Sequence, residues 1–186
     1  MANRYGNSGN NNLYGTSGND NLHGGGGNDA LHGGGSNDNL YGDSGNDRLY
    51  GDGGNDNLNG GSGADQLNGG SGSDALWGGS GRDYLFGDSG NDRLNGAGGG
   101  YDTLVGGSGA DTFVVSHSQY SGSPYAIISD FNHSQGDRID LTLNWNNYSF
   151  GSSNFTGNSN PDTLIYYGND IIAVVADTSV FATSFV

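Results

Sequence analysis

Cysteine is absent from this chain, which excludes a disulfide framework, a thiol nucleophile and any cysteine-ligated zinc or iron-sulfur site. Lysine and glutamate are absent too. All 20 acidic residues are aspartate and all five basic residues are arginine, so the net charge is −15. That balance argues against nucleic acid and anionic membranes as partners. No apolar run approaches the roughly 20 residues of a membrane helix, and no apolar pattern has a helical period. Residues Met1 to Gly6 lack the basic and apolar blocks of a cleaved signal peptide, while the initiator-like Met1 fits an intact chain. The sequence contains no nucleophile-base pattern, no H-E-x-x-H and no phosphate loop, so it reads as a non-enzyme. His23, His32, His117 and His133 have no zinc-ligand spacing and read as surface residues.

What the chain has in quantity is glycine, 39 residues of it, 34 at or before residue 114. From Gly6 to Val114 a nine-residue unit, G-G-x-G-x-D-x-L-x, repeats twelve times, starting at residues 6, 15, 24, 33, 42, 51, 60, 69, 78, 87, 96 and 106. The Gly96 unit carries one extra residue. The sixth position reads Asn11, Asp20, Asp29, Asp38, Asp47, Asp56, Asp65, Asp74, Asp83, Asp92, Asp102 and Asp111. The eighth is leucine from Leu13 to Leu104 and Phe113 at the last unit. A strict short period means stacked neighbours.

Glycine permits the positive backbone angles of a tight turn, and the x-D-x-L-x half of each unit reads as an extended run with its leucine inward. Two units then make one flattened coil, so identical turns stack every 18 residues, about 4.8 Å apart. The aspartates form two ladders, one of Asp20, Asp38, Asp56, Asp74, Asp92 and Asp111, the other of Asn11, Asp29, Asp47, Asp65, Asp83 and Asp102. Each carboxylate pair at that spacing repels by about 1 to 3.5 kcal/mol, depending on the effective dielectric, and each coil buries only two leucines. The array is therefore expected to be unfolded without a cation and folded with one. With only oxygen donors on offer, the expected ion is hard, calcium rather than magnesium, which demands a tighter octahedral site.

These residues resemble the RTX, or hemolysin-type, calcium-binding repeat of secreted bacterial proteins. The resemblance implies an all-β fold: a parallel β-roll, that is a right-handed two-sheet solenoid of twelve nonapeptide repeats, with a C-terminal β cap. It implies Ca²⁺ between stacked turns, held by carboxylates of both turns and by backbone carbonyls of the first four turn positions. Carried onto this chain, the carboxylates are Asp20 to Asp111 of the two ladders. The carbonyl donors lie at Gly24, Gly33, Gly42, Gly51, Gly60, Gly69, Gly78 and Gly87, with Gly45, Gly61 and Gly63. The gap between the Gly42 and Gly60 units would use Asp47, Asp65 and carbonyls near Gly42, Gly45, Gly61 and Gly63. Six rungs per ladder leave five gaps each, so up to about ten ions are expected. Asn11, Ser36 in place of a fourth-position glycine and the Gly96 insertion depart from the pattern.

Residues 1–114 are thus expected to form the array and 115–186 a capping and type I secretion segment. Ile127-Ile128-Ser129-Asp130-Phe131 and Gly136-Asp137-Arg138-Ile139-Asp140-Leu141 resemble the cap that follows the repeats in RTX proteases, lipases and alginate epimerase R-modules. Thr163 to Tyr167 and Ile171 to Val175, joined by Gly168-Asn169-Asp170, read as a β-hairpin. The apolar finish Val180-Phe181 and Phe185-Val186 resembles an uncleaved secretion signal. Asp130, Asp137 and Asp140 read as makers of local turn hydrogen bonds rather than ligands. Ninth-position Tyr14, His23, His32, Tyr41, Tyr50, Trp77 and Phe86 should point outward and pack cross-strand, or form a stripe for carbohydrate or a partner.

The expected protein is an extracellular, monomeric, calcium-folded roll without nucleic-acid or membrane partners. Two alternatives stand beside it: an accessory module that serves the catalytic domain of a secreted enzyme and binds an extracellular polysaccharide, and a surface adhesin or ice-binding roll. Regular threonine ranks, which the last would use, are missing; only Thr16 breaks the Ser/Gly pattern near the third turn position.

Overall fold

The computed structural model describes residues 1–115, 125–141, 148–153, 162–168 and 170–176. Two sheets, of 8 and 10 strands, face each other across one apolar layer. The first takes β1 (Asn3–Tyr5), β3 (Asn21–Gly26), β5 (Asn39–Ser44), β7 (Asn57–Ser62), β9 (Ala75–Ser80), β11 (Arg93–Asn95), β13 (Thr112–Val115) and β15 (Arg138–Leu141). The second takes β2 (Asn12–Thr16), β4 (Ala30–Gly35), β6 (Arg48–Gly53), β8 (Gln66–Ser71), β10 (Tyr84–Ser89), β12 (Thr103–Ser108) and β14 (Ala126–Ile128). It then continues through β18 (Asp170–Val175), β17 (Asp162–Tyr167) and β16 (Tyr148–Ser153). Successive units alternate between the sheets, and every pairing within the repeats is parallel, so the chain is the β-roll that the resemblance implied.

The leucine at the eighth position sets the register. Leu22, Leu40, Leu58, Leu76, Leu94 and Phe113 lie on one sheet and Leu31, Leu49, Leu67, Leu85 and Leu104 on the other, all fully buried. Their neighbours at the seventh and ninth positions alternate outward, as the twofold period of a strand requires. Ile139 extends the first column and Ile128 the second, so the apolar layer runs on into the C-terminal residues.

Strand limits differ from the sequence expectation. The strands run from the residue after the aspartate through the leucine and on through the first three positions of the next unit, as in Asn57–Ser62, and the turn is only the three residues Gly63, Ala64 and Asp65. The glycine half stays extended because its backbone is still hydrogen-bonded to the coils on either side. Positive φ recurs at the second and fourth positions, at Gly61 (100°) and Gly63 (135°) for example. At the second position Asp43, Asp52 and Asp88 adopt φ near 70° (72°, 69° and 70°), a conformation that aspartate tolerates better than most side chains.

The insertion in the Gly96 unit is absorbed in the turn. β11 shortens to three residues, and pairing resumes at a spacing of 19, Arg93 to Thr112. Beyond the repeats, β14 pairs parallel with both β12 and β18, while β16, β17 and β18 are antiparallel. The expected hairpin is present, closing at Tyr167 and Asp170. Asn169 of its turn, His117 and the apolar finish Val180-Phe181 and Phe185-Val186 lie outside the described residues.

Candidate metal centre

The ladder aspartates sit at the mouth of each strand with their side chains turned inward, between 0 and 2% exposed. Each rung is tied to the next coil by its own carboxylate. The N–H of Asp20 donates to Asp38 Oδ1 at 2.6 Å, that of Asp47 to Asp65 at 2.8 Å and that of Asp92 to Asp111 at 2.9 Å. Asp29, Asp38, Asp56, Asp65, Asp74 and Asp83 donate in the same way to Asp47, Asp56, Asp74, Asp83, Asp92 and Asp102. The two ladders are thus those drawn from the sequence, and the Gly96 insertion does not break them.

In nine of these carboxylates only one oxygen is used. Oδ2 of Asp29, Asp38, Asp47, Asp56, Asp65, Asp74, Asp83, Asp92 and Asp111 is buried without a hydrogen-bond partner. A buried carboxylate oxygen with nothing to accept from costs on the order of 1–3 kcal/mol or more, and nine in register cannot be incidental.

Each orphaned oxygen faces a hollow that only glycine leaves open. A Cβ built on Gly42 would fall within 3.0 Å of Asp47 Oδ2 and of the Gly60 carbonyl oxygen. The same pair of atoms, own-unit aspartate and next-coil carbonyl, crowds the Cα of Gly24, Gly33, Gly51, Gly60, Gly78 and Gly87; at Gly69 the nearest atoms are all from Asp74. From the other side, the Asp43 carbonyl lies against Gly61 and the Gly45 carbonyl against Gly63. Between the Gly42 and Gly60 units, Asp47 Oδ2 and the Gly60 carbonyl thus border the hollow at Gly42, while the carbonyls of Asp43 and Gly45 border Gly61 and Gly63. Among the described residues no three acidic or imidazole side chains converge on a point; the donors here are two carboxylates and backbone. All are hard oxygens, which suits a cation of the calcium type.

Electrostatics agree with that geometry. Burial, opposed by the backbone hydrogen bond each accepts, pushes Asp47, Asp65 and Asp111 up from 3.8 to about 6 and Asp56, Asp83 and Asp92 to about 7. Asp38 and Asp74 are raised for the same reason. In most of these, neighbouring rungs add like-charge repulsion. Asp20 is the exception, held below the usual value chiefly by the Thr16 hydroxyl. Thr16 donates to its Oδ2 from the hydroxyl at 2.7 Å and from the backbone at 2.6 Å, so this rung is already satisfied. At the start of the other ladder, Asn11 Oδ1 accepts from Asn7 N–H.

At the C-terminal end the structure adds two aspartates to the machinery. Asp137 is a further rung: its Oδ1 accepts from Asp111 N–H at 3.0 Å, as the other rungs do, and its Oδ2 accepts from Asn132 N–H. The spacing of 26 from Asp111 to Asp137 hid it from the period, although Asp137-Arg138-Ile139 keeps the D-x-L spacing. Asp130 accepts from the N–H groups of Gly106 and Gly107, and Asp140 pairs with Arg93 at 2.9 Å.

Residues 5–40, 32–67, 68–101 and 97–115 match the RTX calcium-binding nonapeptide repeat, in four copies. The chain belongs to the RTX family. RTX nonapeptide repeats are calcium-binding, and the orphaned oxygens with their glycine hollows fit such an ion. No curated protein matches the chain. Among solved structures it is similar to the extracellular lipase LipA from Serratia marcescens, at 19% identity and a TM-score of 0.32, covering 99% of this chain and 40% of the lipase. It is also similar to the AlgE6R3 subunit of the Azotobacter vinelandii mannuronan C5-epimerase, at 22% identity and a TM-score of 0.31, covering 96% of this chain and 79% of that subunit. The RTX chain thus spans well under half of the lipase. Among its described residues, no helix is long and apolar enough to cross a membrane.

Proposed function

We propose that this RTX roll is a non-catalytic calcium-binding protein that folds as it takes up several Ca²⁺ ions outside the cell. The observation that carries the reading is the row of nine buried, unpartnered Oδ2 atoms. Closing the roll without a cation strands these oxygens and stacks like charges, whereas a divalent ion in each gap satisfies both. In the gap between the Gly42 and Gly60 units, Asp47, Asp65 and the carbonyls of Asp43, Gly45 and Gly60 would hold it. The gaps between unsatisfied aspartate rungs repeat the carboxylate pair, so several of the ten gaps would fill, with Asn11 and the satisfied Asp20 setting two of them apart. Low calcium inside a cell would keep the chain unfolded for type I export, and the higher calcium outside would fold it.

Far-UV circular dichroism of the chain, begun in chelator and titrated with calcium, tests the proposal. A cooperative rise in β signal at submillimolar to millimolar calcium, absent with magnesium, is the expected result. A spectrum already β-rich in chelator and unmoved by calcium overturns it.

A further inference from the structure

On the outer face of the first sheet, the ninth-position column reads Tyr5, His23, Tyr41, Asn59, Trp77 in adjacent strands. Tyr5 stacks on His23 with ring centres 5.2 Å apart, and His23 on Tyr41 at 4.5 Å, nearly coplanar at 11° and 9°. The stack then stops, because Asn59 has no ring. Tyr41 and Trp77 stand two strand spacings apart, about 9.6 Å, across a cleft of about 320 Å³ lined by Asn39, Tyr41, Asn57, Leu58, Asn59 and Trp77.

A second series ends in the same cleft. The seventh-position amides form a ladder in which Asn21 donates to Asn3 (2.9 Å), Asn39 to Asn21 (2.8 Å) and Asn57 to Asn39 (3.0 Å). The next residue in register is Ala75, which has no side-chain donor to offer Asn57 Oδ1. Asn57 and Asn59 are both exposed. The cleft thus joins two aromatic walls, an open amide acceptor and a second free-standing amide.

We propose that this cleft binds a neutral pyranose unit of an extracellular polysaccharide. Aromatic rings present flat apolar faces to the C–H faces of a sugar with equatorial hydroxyls, and side-chain amides both donate to and accept from those hydroxyls. The spacing admits one saturated ring between the walls, and the volume lies at the small end of ligand pockets. A uronate is disfavoured: the half-exposed Asp43 lies two residues beyond Tyr41 on the same strand, in a chain of net charge −15. The inference needs the calcium-ordered roll proposed above but no particular ion count.

The test is a nitrogen-15 NMR titration of the full chain, in calcium, with cellohexaose. Circular dichroism in the same buffer establishes the folded roll before sugar is added, so a failure of calcium folding is seen separately. Saturable shifts at the side-chain amides of Asn57 and Asn59 and the Trp77 indole N–H, in the high-micromolar to millimolar range, support the cleft. Trp77→Ala should weaken binding by about tenfold or more, with Trp77→Phe recovering part of it. Asn59→Tyr should abolish it by filling the gap in the stack. Both substituted positions lie off the aspartate ladders, so the calcium-induced β signal should be unchanged. Absent or non-saturating shifts in the folded chain overturn the proposal. So does binding that Asn59→Tyr leaves intact, or preference for a mannuronate oligomer over cellohexaose.

Discussion

Gly60 and Gly61 are adjacent, yet each resists a side chain for a different reason. Gly61 has φ of +100°, so any L residue there is strained, although aspartate is accommodated at the equivalent Asp43. Gly60 has no such constraint. A Cβ on it would instead fill the hollow between Asp65 Oδ2 and the Gly78 carbonyl. Gly60→Ala is therefore expected to remove one ion from the calcium stoichiometry and raise the calcium midpoint of folding, read by calorimetry and circular dichroism. Asp65→Asn separates charge from shape. Its amide oxygen can still accept from Asp47 N–H, while the amino group replaces a partnerless Oδ2 and can donate to the Gly78 carbonyl. The expected outcome has opposite signs in two buffers. In chelator the variant should be more stable than the parent by about 1–2 kcal/mol; in calcium it should be less stable and bind fewer ions. Denaturant melts in each buffer check this.

At the scale of the strand, much was legible because one physical event recurs at one spacing. Leu40 and Asp47 announce a buried apolar residue and a buried carboxylate in every unit, and both ladders followed from stacking units two apart. Strand limits were not legible. Gly60-Gly61-Ser62 has no side-chain pattern to mark it as extended, and it is strand only because coils on both sides hydrogen-bond to it. Thr16 likewise gave no sign that its hydroxyl would satisfy Asp20, since that bond closes a turn rather than a period. Asp137 was missed as a rung for want of a repeat around it. With both of its oxygens already accepting, Asp137→Ala should leave two N–H groups without their acceptor and cost about 1–3 kcal/mol per group. The calcium count should stay unchanged, which equilibrium dialysis beside a denaturant melt can establish.

For the molecule as a whole, the buried ladders make stability run in opposite directions with pH. Asp47, Asp65 and Asp111 at about 6, and Asp56, Asp83 and Asp92 at about 7, hold protons more tightly in the metal-free roll than at the usual 3.8. A folded state that binds protons more tightly is favoured by acid: that stability is complete below about pH 4 and is lost as pH rises through 6 and 7. In chelator, lowering the pH from 8 towards 4 should raise the β signal. In calcium the same change should weaken the roll, because protons compete with the ion for each Oδ2.

The rung hydrogen bonds all point one way, each N–H toward the carboxylate of the following coil; Asp137 receives the one from Asp111, and Asp130 accepts from the turn N–H groups of Gly106 and Gly107. The roll is thus a polar rod whose two ends are chemically unlike, with Asp130 and Asp137 supplying acceptors at its C-terminal end. A chain cut after Val115 would leave the N–H groups of Gly106, Gly107 and Asp111 facing solvent in a coil-shaped socket. Light scattering of such a fragment in calcium, against the whole chain, should show growth without a fixed size. Rods that join only head to tail have no geometry in which to close, so growth of that fragment alone would assign to the C-terminal acceptors the part of keeping one coil from seeding a fibre.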